Sequence, residues 1–528
     1  MIDMIGGTPL KKSMQAGAWL AGLLLTCSLA VAADRDDRQT KTPYVPRQAS
    51  SSLEPVPVGY VPVFTQMLAR HGSRGLTSMK SDLALYRMWQ QAEREDALTA
   101  LGRELGPALL AMLRANFLLG AGVPGISQPG YGNETQVGLQ EQIGLASRMV
   151  QRLPGLFAPD ESSRARQVVV VSSGKDRAVD SAQAFIGALL AARPALRSEV
   201  LGPNKDTYLL YFHRLPKTPP LDPVASSQDP QQALRLQTWR DSQAYQAYMH
   251  SAVLQAQLAR IRIDPRLQVA ADVVLPRLFT AAFLQRLEQG TYRFSNSGTL
   301  SFTSNDGRFA NTLTGDGRSV IARPIEAAWA LYELYAISAA MRVELEQAGG
   351  SAQAFSAFMP PAAAHAFAEA EDAEDFYTKG PGMLEQGDVT SRMATILLQD
   401  FFQEADAIAA GRRQHLAKLR FAHAEIIIPL ATLLGLPGAA QQVSESEPYE
   451  ASRNGWRGAE VAPMAANLQW DMFADTAGRT LVRLLYNEGQ ADFKPACDGA
   501  RIAPQSHYYD YRALRACYQA LLGRDQNL

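Results

Sequence analysis

One short stretch of the sequence carries residues that could attack phosphorus. Arg70-His71-Gly72-Ser73-Arg74 follows an apolar run at residues 61–68 and places a histidine between two arginines. A neutral imidazole can act as a nucleophile, and planar guanidinium groups bind phosphate oxygens and stabilise their charge. Gly72 would allow the backbone to come close to an oxyanion. The alternative is a basic surface loop after a strand, because a motif this short also occurs by chance.

A second pair of candidate residues lies late in the chain. His423 and Glu425 stand between residues 416–421, which predict a strand, and the apolar residues 426–436, which predict a buried helix. At such a junction an imidazole can bind a phosphate and a carboxylic acid can protonate a departing alkoxide. Taken alone, the pair is better explained as a core histidine and an acid in the first turn of a helix. Together with the first motif, it supplies a nucleophile, a clamp and an acid in one chain.

The elements that must position these residues alternate between strand and helix. The predicted strands are residues 60–68, 167–171, 416–421 and 479–486, and the predicted helices are residues 98–118, with Thr99 as cap, and 176–192. The run at 167–171 is almost wholly apolar, as in a strand covered on both faces. We therefore predict an α/β fold with a doubly wound, mostly parallel sheet.

The length of 528 residues allows more than one domain. Residues 34–57 are polar and predict a flexible leader, and residues 58–191 and 394–528 predict the α/β domain. Residues 192–393 have helical spacing and predict an inserted, mainly α-helical cap domain. Within this insert, residues 291–318 are rich in Ser, Thr, Asn and Gly and predict a surface hairpin, with an active-site lid as the alternative.

Composition argues against one class of partner. Hydrophobic residues make up 47% and charged residues 20% of the chain, which is typical of a globular protein. The formal net charge of -1 argues against nucleic-acid binding, which requires a basic excess. Any cationic pocket must therefore be local. The histidines without metal-ligand spacing, predicted to be core or surface residues, are His213, His250, His365 and His415.

The first 33 residues predict a secretory signal peptide. Lys11 and Lys12 precede an apolar stretch at residues 16–33, which is shorter than a membrane span and closes with small residues. A retained transmembrane anchor is the alternative. Lipidation at Cys27 is disfavoured by the threonine that precedes it. We therefore predict an exported protein, periplasmic or secreted, with no membrane span after cleavage.

Signal cleavage would leave Cys497 and Cys517 as the remaining thiols. Export to an oxidising compartment favours a disulfide between them. The alternative is a pair of buried free cysteines.

The two motifs resemble those of the clade-2 histidine phosphatases, which carry an RHG-x-R stretch near the start and a late His-Asp or His-Ala-Glu. Arg70, His71, Gly72 and Arg74 match the first motif, and His423-Ala424-Glu425 matches the second. The His-Ala-Glu form is similar to the multiple inositol polyphosphate phosphatases, a phytase branch. Further stretches that look like this branch are residues 419–425, 484–488 and 497–517.

This resemblance implies the histidine phosphatase fold and a phosphohistidine mechanism without metal or other cofactor. His71 would attack phosphorus, and Glu425 would protonate the leaving oxygen and later act as base. In the family a further arginine follows a Ser-Ser strand end, and Ser172-Ser173 precedes Arg177 here. The implied phosphate ligands are Arg70, Arg74, Arg177 and His423.

The implied substrate is an inositol polyphosphate, first of all inositol hexakisphosphate. Candidates for a cationic rim around it are Lys80, Lys175, Arg87 and Arg103, each of which could instead be an ordinary surface charge. The family often has an aromatic residue and proline where this chain has Gly75-Leu76-Thr77, so the pocket wall differs there. The alternatives are a broad acid phosphatase for sugar phosphates or bisphosphoglycerate, and a non-catalytic envelope protein that binds a phosphate ligand.

Overall fold

The computed structural model describes residues 37–158, 166–219 and 229–525. The predicted signal peptide at residues 1–33, with Cys27, lies outside the described residues. Within them, no helix is long and apolar enough to cross a membrane. The strands are β1 (Val61–Arg70), β2 (Gln167–Ser172), β3 (Val200–Lys205), β4 (Phe294–Ser295), β5 (Gly298–Thr303), β6 (Ala310–Gly315), β7 (Val320–Ile321), β8 (His415–Ala422), β9 (Asn467–Ala474), β10 (Thr480–Tyr486), β11 (Gly489–Ala491) and β12 (Tyr508–Asp510).

One eight-stranded sheet organises the described part of the chain, in the order β11-β10-β9-β1-β8-β2-β3, with β12 beside β10. β1, β8, β2 and β3 pair in parallel. β9 is antiparallel to β1 and to β10, and a short turn joins β9 to β10. β10 therefore runs with the parallel strands, whereas β9, β11 and β12 run the other way. The predicted α/β fold with a mostly parallel sheet is confirmed.

Helices surround this sheet and form most of the remaining structure. The helices are α1 (Ser81–Arg94), α2 (Ala100–Phe117), α3 (Gln136–Arg152), α4 (Asp176–Ala192), α5 (Thr207–Leu210), α6 (Pro230–Tyr248), α7 (Ala252–Arg262), α8 (Pro265–Val274), α9 (Ala281–Glu288), α10 (Pro324–Ser338), α11 (Arg342–Gln347), α12 (Ala352–Phe358), α13 (Pro361–Thr378), α14 (Thr395–Ala409), α15 (Ala424–Leu434), α16 (Ala451–Asn454), α17 (Gly458–Val461) and α18 (Tyr511–Asp525). The six strands and helices predicted from periodicity, and the buried helix after Glu425, are confirmed to within two residues at each end. Thr99 caps α2 as predicted, since its hydroxyl accepts the Gly102 N–H at 2.9 Å.

Both faces of the sheet are covered, which explains the unbroken apolar run at residues 168–171 of β2. Phe64 and Leu68 of β1 pack with α14 and α15 on one face. Met67 and Ala69 point to the other face and pack with α3 and α4. A strand between two helical layers has no solvent side, so it loses the alternation of polar and apolar residues.

The helical cap differs from the predicted insert at its amino-terminal boundary. β3, which the prediction placed inside the insert, extends the main sheet by pairing with β2. In addition, α1 and α2 precede the predicted insert but share one apolar core with α8, α10 and α13. Periodicity shows that a helix has an apolar face, but it does not show which core that face joins.

The prediction of a flexible leader is wrong for residues 37–57. The turn Gln39–Lys41 is a 3-10 helix with Gln39 and Thr40 buried. Tyr44 is also buried, and its hydroxyl donates to Glu488 Oε2 at 2.9 Å. Hydrogen bonds hold this polar segment against the folded body, and composition alone cannot distinguish that arrangement from disorder.

Residues 291–318 form the predicted surface hairpin. β5 and β6 pair from Gly298 and Gly315 to the turn. Phe302 packs edge-on against Phe117 at the end of α2, with ring centroids 4.9 Å apart. Alternate hydroxyl residues such as Thr299 face solvent, so the hairpin is an amphipathic two-stranded sheet.

Cys497 and Cys517 form a disulfide, as predicted. Their Cα atoms lie 5.7 Å apart. The bond joins the turn after β11 to α18 and so fixes the last helix to the antiparallel side of the sheet.

Candidate functional site

The two sequence motifs meet at one edge of the sheet. β1 and β8 are parallel neighbours with Arg70 opposite Ala422, so His71 and His423 follow the carboxyl ends of adjacent strands. Their ring centroids lie 5.3 Å apart, and both side chains are almost fully buried, with exposures of 2% and 1%. Pairing of the two strands therefore brings together residues that are far apart in the sequence.

The tautomer of His71 is set by its own loop. Nδ1 lies 2.9 Å from the carbonyl oxygen of Gly72, which can only accept a hydrogen bond. Nδ1 therefore carries the proton, and Nε2 keeps the lone pair that a nucleophile needs. Burial, then the charges of Arg177 and Arg70, hold the pKa of His71 well below 6.5. The imidazole is neutral in this environment.

Arg70 is fixed through one end of its guanidinium group. Nη1 donates to the carbonyl oxygens of Thr40 and Ala462, each at 2.6 Å. Nε is buried without a hydrogen-bond partner among the described residues. Burial lowers the pKa of Arg70 to about 10, with Glu425 opposing and Arg177 adding to the shift, so the group stays charged at neutral pH.

Arg74 and Arg177 complete a group of three arginines. Arg74 Nη1 donates to its neighbour Gly75 at 2.7 Å, and Arg177 Nη1 donates to Gly132 at 3.4 Å. Burial and the charges of Arg177 and Arg70 lower the pKa of Arg74 to about 9. Arg177 lowers the pKa of both Arg70 and Arg74, so the three cations create a local excess of positive charge, which favours binding of an anion.

His423 lies between this group and α15. Its Nε2 is 2.8 Å from Ser173 Oγ at the end of β2, and its Nδ1 is buried without a partner among the described residues. Burial and Arg177 hold the pKa of His423 well below 6.5. A Ser173 hydroxyl that donates to Nε2 leaves the ring proton on Nδ1, where it can be donated to a phosphate oxygen.

Glu425 is partly buried in the first turn of α15. Burial by itself would raise the pKa of this carboxyl group, but Lys379, His213 and His423 outweigh it and hold the pKa well below 4.5. In the absence of an anion, Glu425 is therefore a carboxylate.

Neither His213 nor Lys379 was predicted from the sequence to lie near the site, because neither belongs to a motif. The sequence predicted His213 as a core or surface residue, and the structure shows that it is buried. The ring centroid of His213 lies 4.6 Å from that of Tyr211, and the Tyr211 centroid lies 5.5 Å from that of His423. Burial lowers the pKa of His213 to about 4. Lys379 follows α13 and pairs with Asp375 at 2.9 Å. Only the tertiary contact of the cap with the sheet places these two side chains beside Glu425.

Glu134 lies beneath the RHG loop (residues 70–74) and accepts a hydrogen bond from it. Glu134 belongs to no sequence motif, so the sequence did not predict this contact. Its Oε1 accepts the Gly72 N–H at 3.0 Å and the Ser181 hydroxyl at 2.6 Å. A Cβ on Gly72 would lie 2.3 Å from this oxygen and 2.4 Å from the Gly138 carbonyl oxygen. The glycine is therefore needed for packing beneath the loop. Burial raises the pKa of Glu134 well above 4.5.

The proposed rim residues lie in different places. Lys175 is exposed, and its Nζ lies 4.9 Å from the ring centroid of Tyr211, which brings it to the site. Lys80 is exposed at the start of α1, on the side of the hairpin. Arg103 is exposed and pairs with Asp96 at 2.9 Å. Of these three cations, the structure brings Lys175 to the site.

The other histidines have structural partners or are exposed. Nδ1 of His365 lies 2.8 Å from Asp37, Nδ1 of His415 lies 2.8 Å from Glu404, and His250 is exposed. Within residues 37–158, 166–219 and 229–525, no group of three or more His, Cys, Asp or Glu side chains is placed to hold a metal ion.

The chain is similar to proteins of known family and structure over most of its length. Residues 63–487 match the family model of the histidine phosphatase superfamily (branch 2). The structure is similar to the multiple inositol polyphosphate phosphatase of Bifidobacterium longum in complex with inositol hexasulfate, with 31% identity, a TM-score of 0.77 and coverage of 93% of this chain and 99% of that chain.

The complex of the same Bifidobacterium longum enzyme with phosphate has 30% identity, a TM-score of 0.76 and the same coverage of both chains. The phytase from D. castellii shares the fold alone, at 12% identity and a TM-score of 0.54, over 92% of this chain and 85% of that chain. Among curated proteins there is no match.

Proposed function

Because the chain belongs to branch 2 of the histidine phosphatase superfamily, we propose that it hydrolyses phosphomonoesters of inositol polyphosphates through a phosphohistidine. The observation that carries the proposal is the neutral His71, whose Nε2 is free to attack beside three charged arginines. The similar Bifidobacterium enzyme, named for inositol polyphosphates and crystallised with inositol hexasulfate, supports the substrate class.

In the proposed first step, Nε2 of His71 attacks phosphorus and the bond from phosphorus to the ester oxygen breaks. Arg70, Arg74 and Arg177 stabilise the charge on the transferring phosphoryl group by electrostatics that are in place before the reaction. Glu425 gives its proton to the departing alkoxide. In the second step, water attacks phosphorus, its proton passes to Glu425, and the bond from phosphorus to nitrogen breaks, which restores the enzyme.

The low pKa of Glu425 in the free site is compatible with its role as acid. Its carboxylate is stabilised by Lys379, His213 and His423. A bound phosphate dianion adds negative charge to the same neighbourhood and raises the pKa of Glu425, because like charges disfavour ionisation. Substrate binding therefore supplies the condition under which the carboxyl group holds a proton.

A substrate with several phosphates fits the cations that remain around the transferring group. Lys175 over Tyr211, and Lys379 of the cap, stand beside the site without contributing to the arginine cluster. We propose that they bind phosphates next to the one that is removed. Sugar phosphates, which lack these additional phosphates, would use only the arginine cluster.

The decisive experiment is a time course of phosphate release from inositol hexakisphosphate with the inositol intermediates resolved. We expect stepwise products from the wild-type chain and none from His71→Ala. Equal kcat/KM on a sugar phosphate would favour a broad acid phosphatase. Tight phosphate binding without release would favour a binding protein, and strong loss of turnover with EDTA would contradict the metal-free mechanism.

We further propose that the protein is exported and acts in the periplasm or outside the cell. The predicted signal peptide and the disulfide between Cys497 and Cys517 support this location. Amino-terminal sequencing of the protein purified from the cell envelope and the medium is expected to begin near residue 34. A chain that keeps its first 33 residues in the membrane fraction would indicate an anchor instead.

A further inference from the structure

Residues 37–42 pack directly against the proposed site. The carbonyl oxygen of Thr40 accepts from Arg70 Nη1 at 2.6 Å and so fixes the arginine next to the nucleophile. The preceding residue, Gln39, is 2% exposed and has a left-handed φ of 52°. A residue with a side chain rarely adopts this conformation, so surrounding contacts must hold it.

The side-chain amide of Gln39 supplies three of these contacts, two through its oxygen and one through its nitrogen. Oε1 accepts the N–H and the hydroxyl of Thr40, each at 2.5 Å. Nε2 donates to Asp375 Oδ2 in α13 at 2.7 Å. The other oxygen of Asp375 pairs with Lys379 at 2.9 Å, and Lys379 is the cation that most strongly depresses the pKa of Glu425.

The packing around this amide leaves it little freedom. Gly458, at the start of α17, lies against it, and a Cβ on that glycine would stand 2.7 Å from Gln39 Nε2 and 2.9 Å from Asp372 Oδ1. The Gly458 N–H donates to the same Asp372 oxygen at 2.8 Å. The amide is therefore enclosed by Thr40, Asp375 and the α17 backbone.

We propose that Gln39 is a positioning residue of the reaction. Its amide connects Thr40, which holds the arginine beside the nucleophile, to the Asp375–Lys379 pair, which faces the proton donor. One side chain from the amino-terminal segment thus fixes both halves of the site relative to each other. This inference rests on the proposed phosphomonoesterase function.

A negative charge at position 39 would act on a defined set of neighbours. The charged and titratable groups around Glu425 are Lys379, His213, His423, Arg70, Arg74, Arg177 and Tyr245, and those around Asp375 are Lys379, Glu371, Asp372, Glu374, Arg70 and Tyr245. A carboxylate in place of the Gln39 amide would repel Asp375 and attract Lys379. The field of Lys379 at Glu425 would weaken, and the pKa of Glu425 would rise.

The test compares Gln39→Glu and Gln39→Gly with the control Gln48→Glu. Glycine keeps the left-handed backbone and removes the whole side chain, including the amide link. Gln48 belongs to the same amino-terminal segment, but its side chain forms hydrogen bonds to Ser52 and to Gln490 of β11 and none to the residues of the proposed site. The readouts are thermal unfolding and the pH profile of kcat from pH 4 to 8 on glycerol 2-phosphate, an alkyl ester whose leaving group needs a proton.

We expect both Gln39 variants to lower the maximal kcat by about threefold or more, with KM changed less. Gln39→Glu is also expected to move the basic limb of the profile up by about half a pH unit, which a merely structural role would not do. Gln48→Glu should match the wild type in both readouts.

Several results would overturn this role for Gln39. One such result is a wild-type kcat and a wild-type pH profile in both Gln39 variants. Another is an equal loss of kcat in Gln48→Glu, and a third is a loss of kcat in the Gln39 variants that is fully explained by their unfolded fraction. Should Gln39→Glu fail to fold, Gln39→Gly decides by its kcat. A wild-type chain that releases no phosphate from any monoester would overturn the proposed function and this inference together, whereas an active wild type with unaffected variants overturns only the inference.

Discussion

At the scale of single residues, the site is defined by side chains held in unusual protonation states. His71 and His423 are neutral because burial and the arginines disfavour their cationic forms. Burial beneath the loop raises the pKa of Glu134 well above 4.5 and so favours its protonated form. These states depend on surroundings that come from several elements.

Glu425→Gln should separate the proton donor from the clamp. The amide cannot protonate an alkoxide, so turnover of inositol hexakisphosphate should fall about 100-fold or more. An ester such as 4-nitrophenyl phosphate, whose leaving group needs no proton, should lose much less. Initial rates on both substrates measure the difference, and equal losses would assign the acid role to another residue.

The pH dependence of kcat/KM should extend well into the acid range. His71 must be neutral to attack, and its pKa lies well below 6.5. As pH falls, activity should therefore persist below 6.5 and be lost only near the lowered pKa. Rates from pH 3 to 8 in a buffer of constant ionic strength test this, and an acid limb centred at 6.5 or above would contradict a depressed pKa.

Glu134→Gln should stabilise the protein as pH rises. Because the pKa of Glu134 is raised in the folded state, the folded protein keeps a proton that the unfolded protein loses above about pH 4.5. The free energy of unfolding of the wild type therefore falls by up to about 1.4 kcal/mol per pH unit until the pH reaches the folded-state pKa. Glutamine mimics the neutral form and removes this dependence. Urea unfolding from pH 5 to 8 should show the difference, with exposed Glu104→Gln as control; a difference independent of pH would mean that Glu134 is ionised.

At the scale of elements, the parallel pair β1 and β8 decides the position of the site. Both strands end at the same edge, and α3, α4 and α15 supply the contacts beneath and beside it. The RHG loop can turn there only because Gly72 approaches α3 closely.

Gly72→Ala should therefore disrupt the loop, whereas Gly187→Ala should not. An alanine Cβ at position 72 overlaps Glu134 and Gly138, which should cost about 3 kcal/mol and most of the activity. Gly187 lies exposed in α4 with nothing within 4 Å, so alanine there should stabilise by about 0.5 to 1 kcal/mol. Chemical denaturation and phosphatase assays measure both. Wild-type stability of Gly72→Ala would show that the loop can move without cost.

At the scale of the whole molecule, a two-sided α/β core and a separate helical core meet at the site. In the proposed mechanism, the nucleophile His71 follows β1, and the acid Glu425 lies in the first turn of α15, directly after β8. The cap provides Lys379 and Asp375, and residues 37–42 lie against both bodies. The proposed site therefore depends on contacts between elements of both cores.

The disulfide should contribute to global stability and not to catalysis. Cys497→Ala/Cys517→Ala opens a loop with a sequence separation of 20 residues, and the expected loss is about 3 kcal/mol. Because this loop joins the antiparallel edge to α18, kcat at a temperature where both proteins are folded should be unchanged. Urea midpoints and kcat are the measurements, and a large fall in kcat would indicate that the antiparallel edge is coupled to the site.

Local chemistry in the sequence determined the strands, their helices, the disulfide partners and the two motifs. Apolar runs and helical spacing depend on burial that each segment carries in its own residues, so 60–68 and 176–192 could be predicted closely. The resemblance of the RHG and His-Ala-Glu stretches to known phosphatases implied the family before any contact was known.

Only the tertiary structure decided which side chains surround those motifs. Lys379, His213 and Glu134 reach the site through contacts between elements that are distant in sequence, and spacing carries no trace of such contacts. The same reason explains why the polar residues 37–57 were mistaken for a flexible leader. Their stability comes from hydrogen bonds to the folded body, including the bond from Arg70 to Thr40, and these partners exist only after the chain has folded.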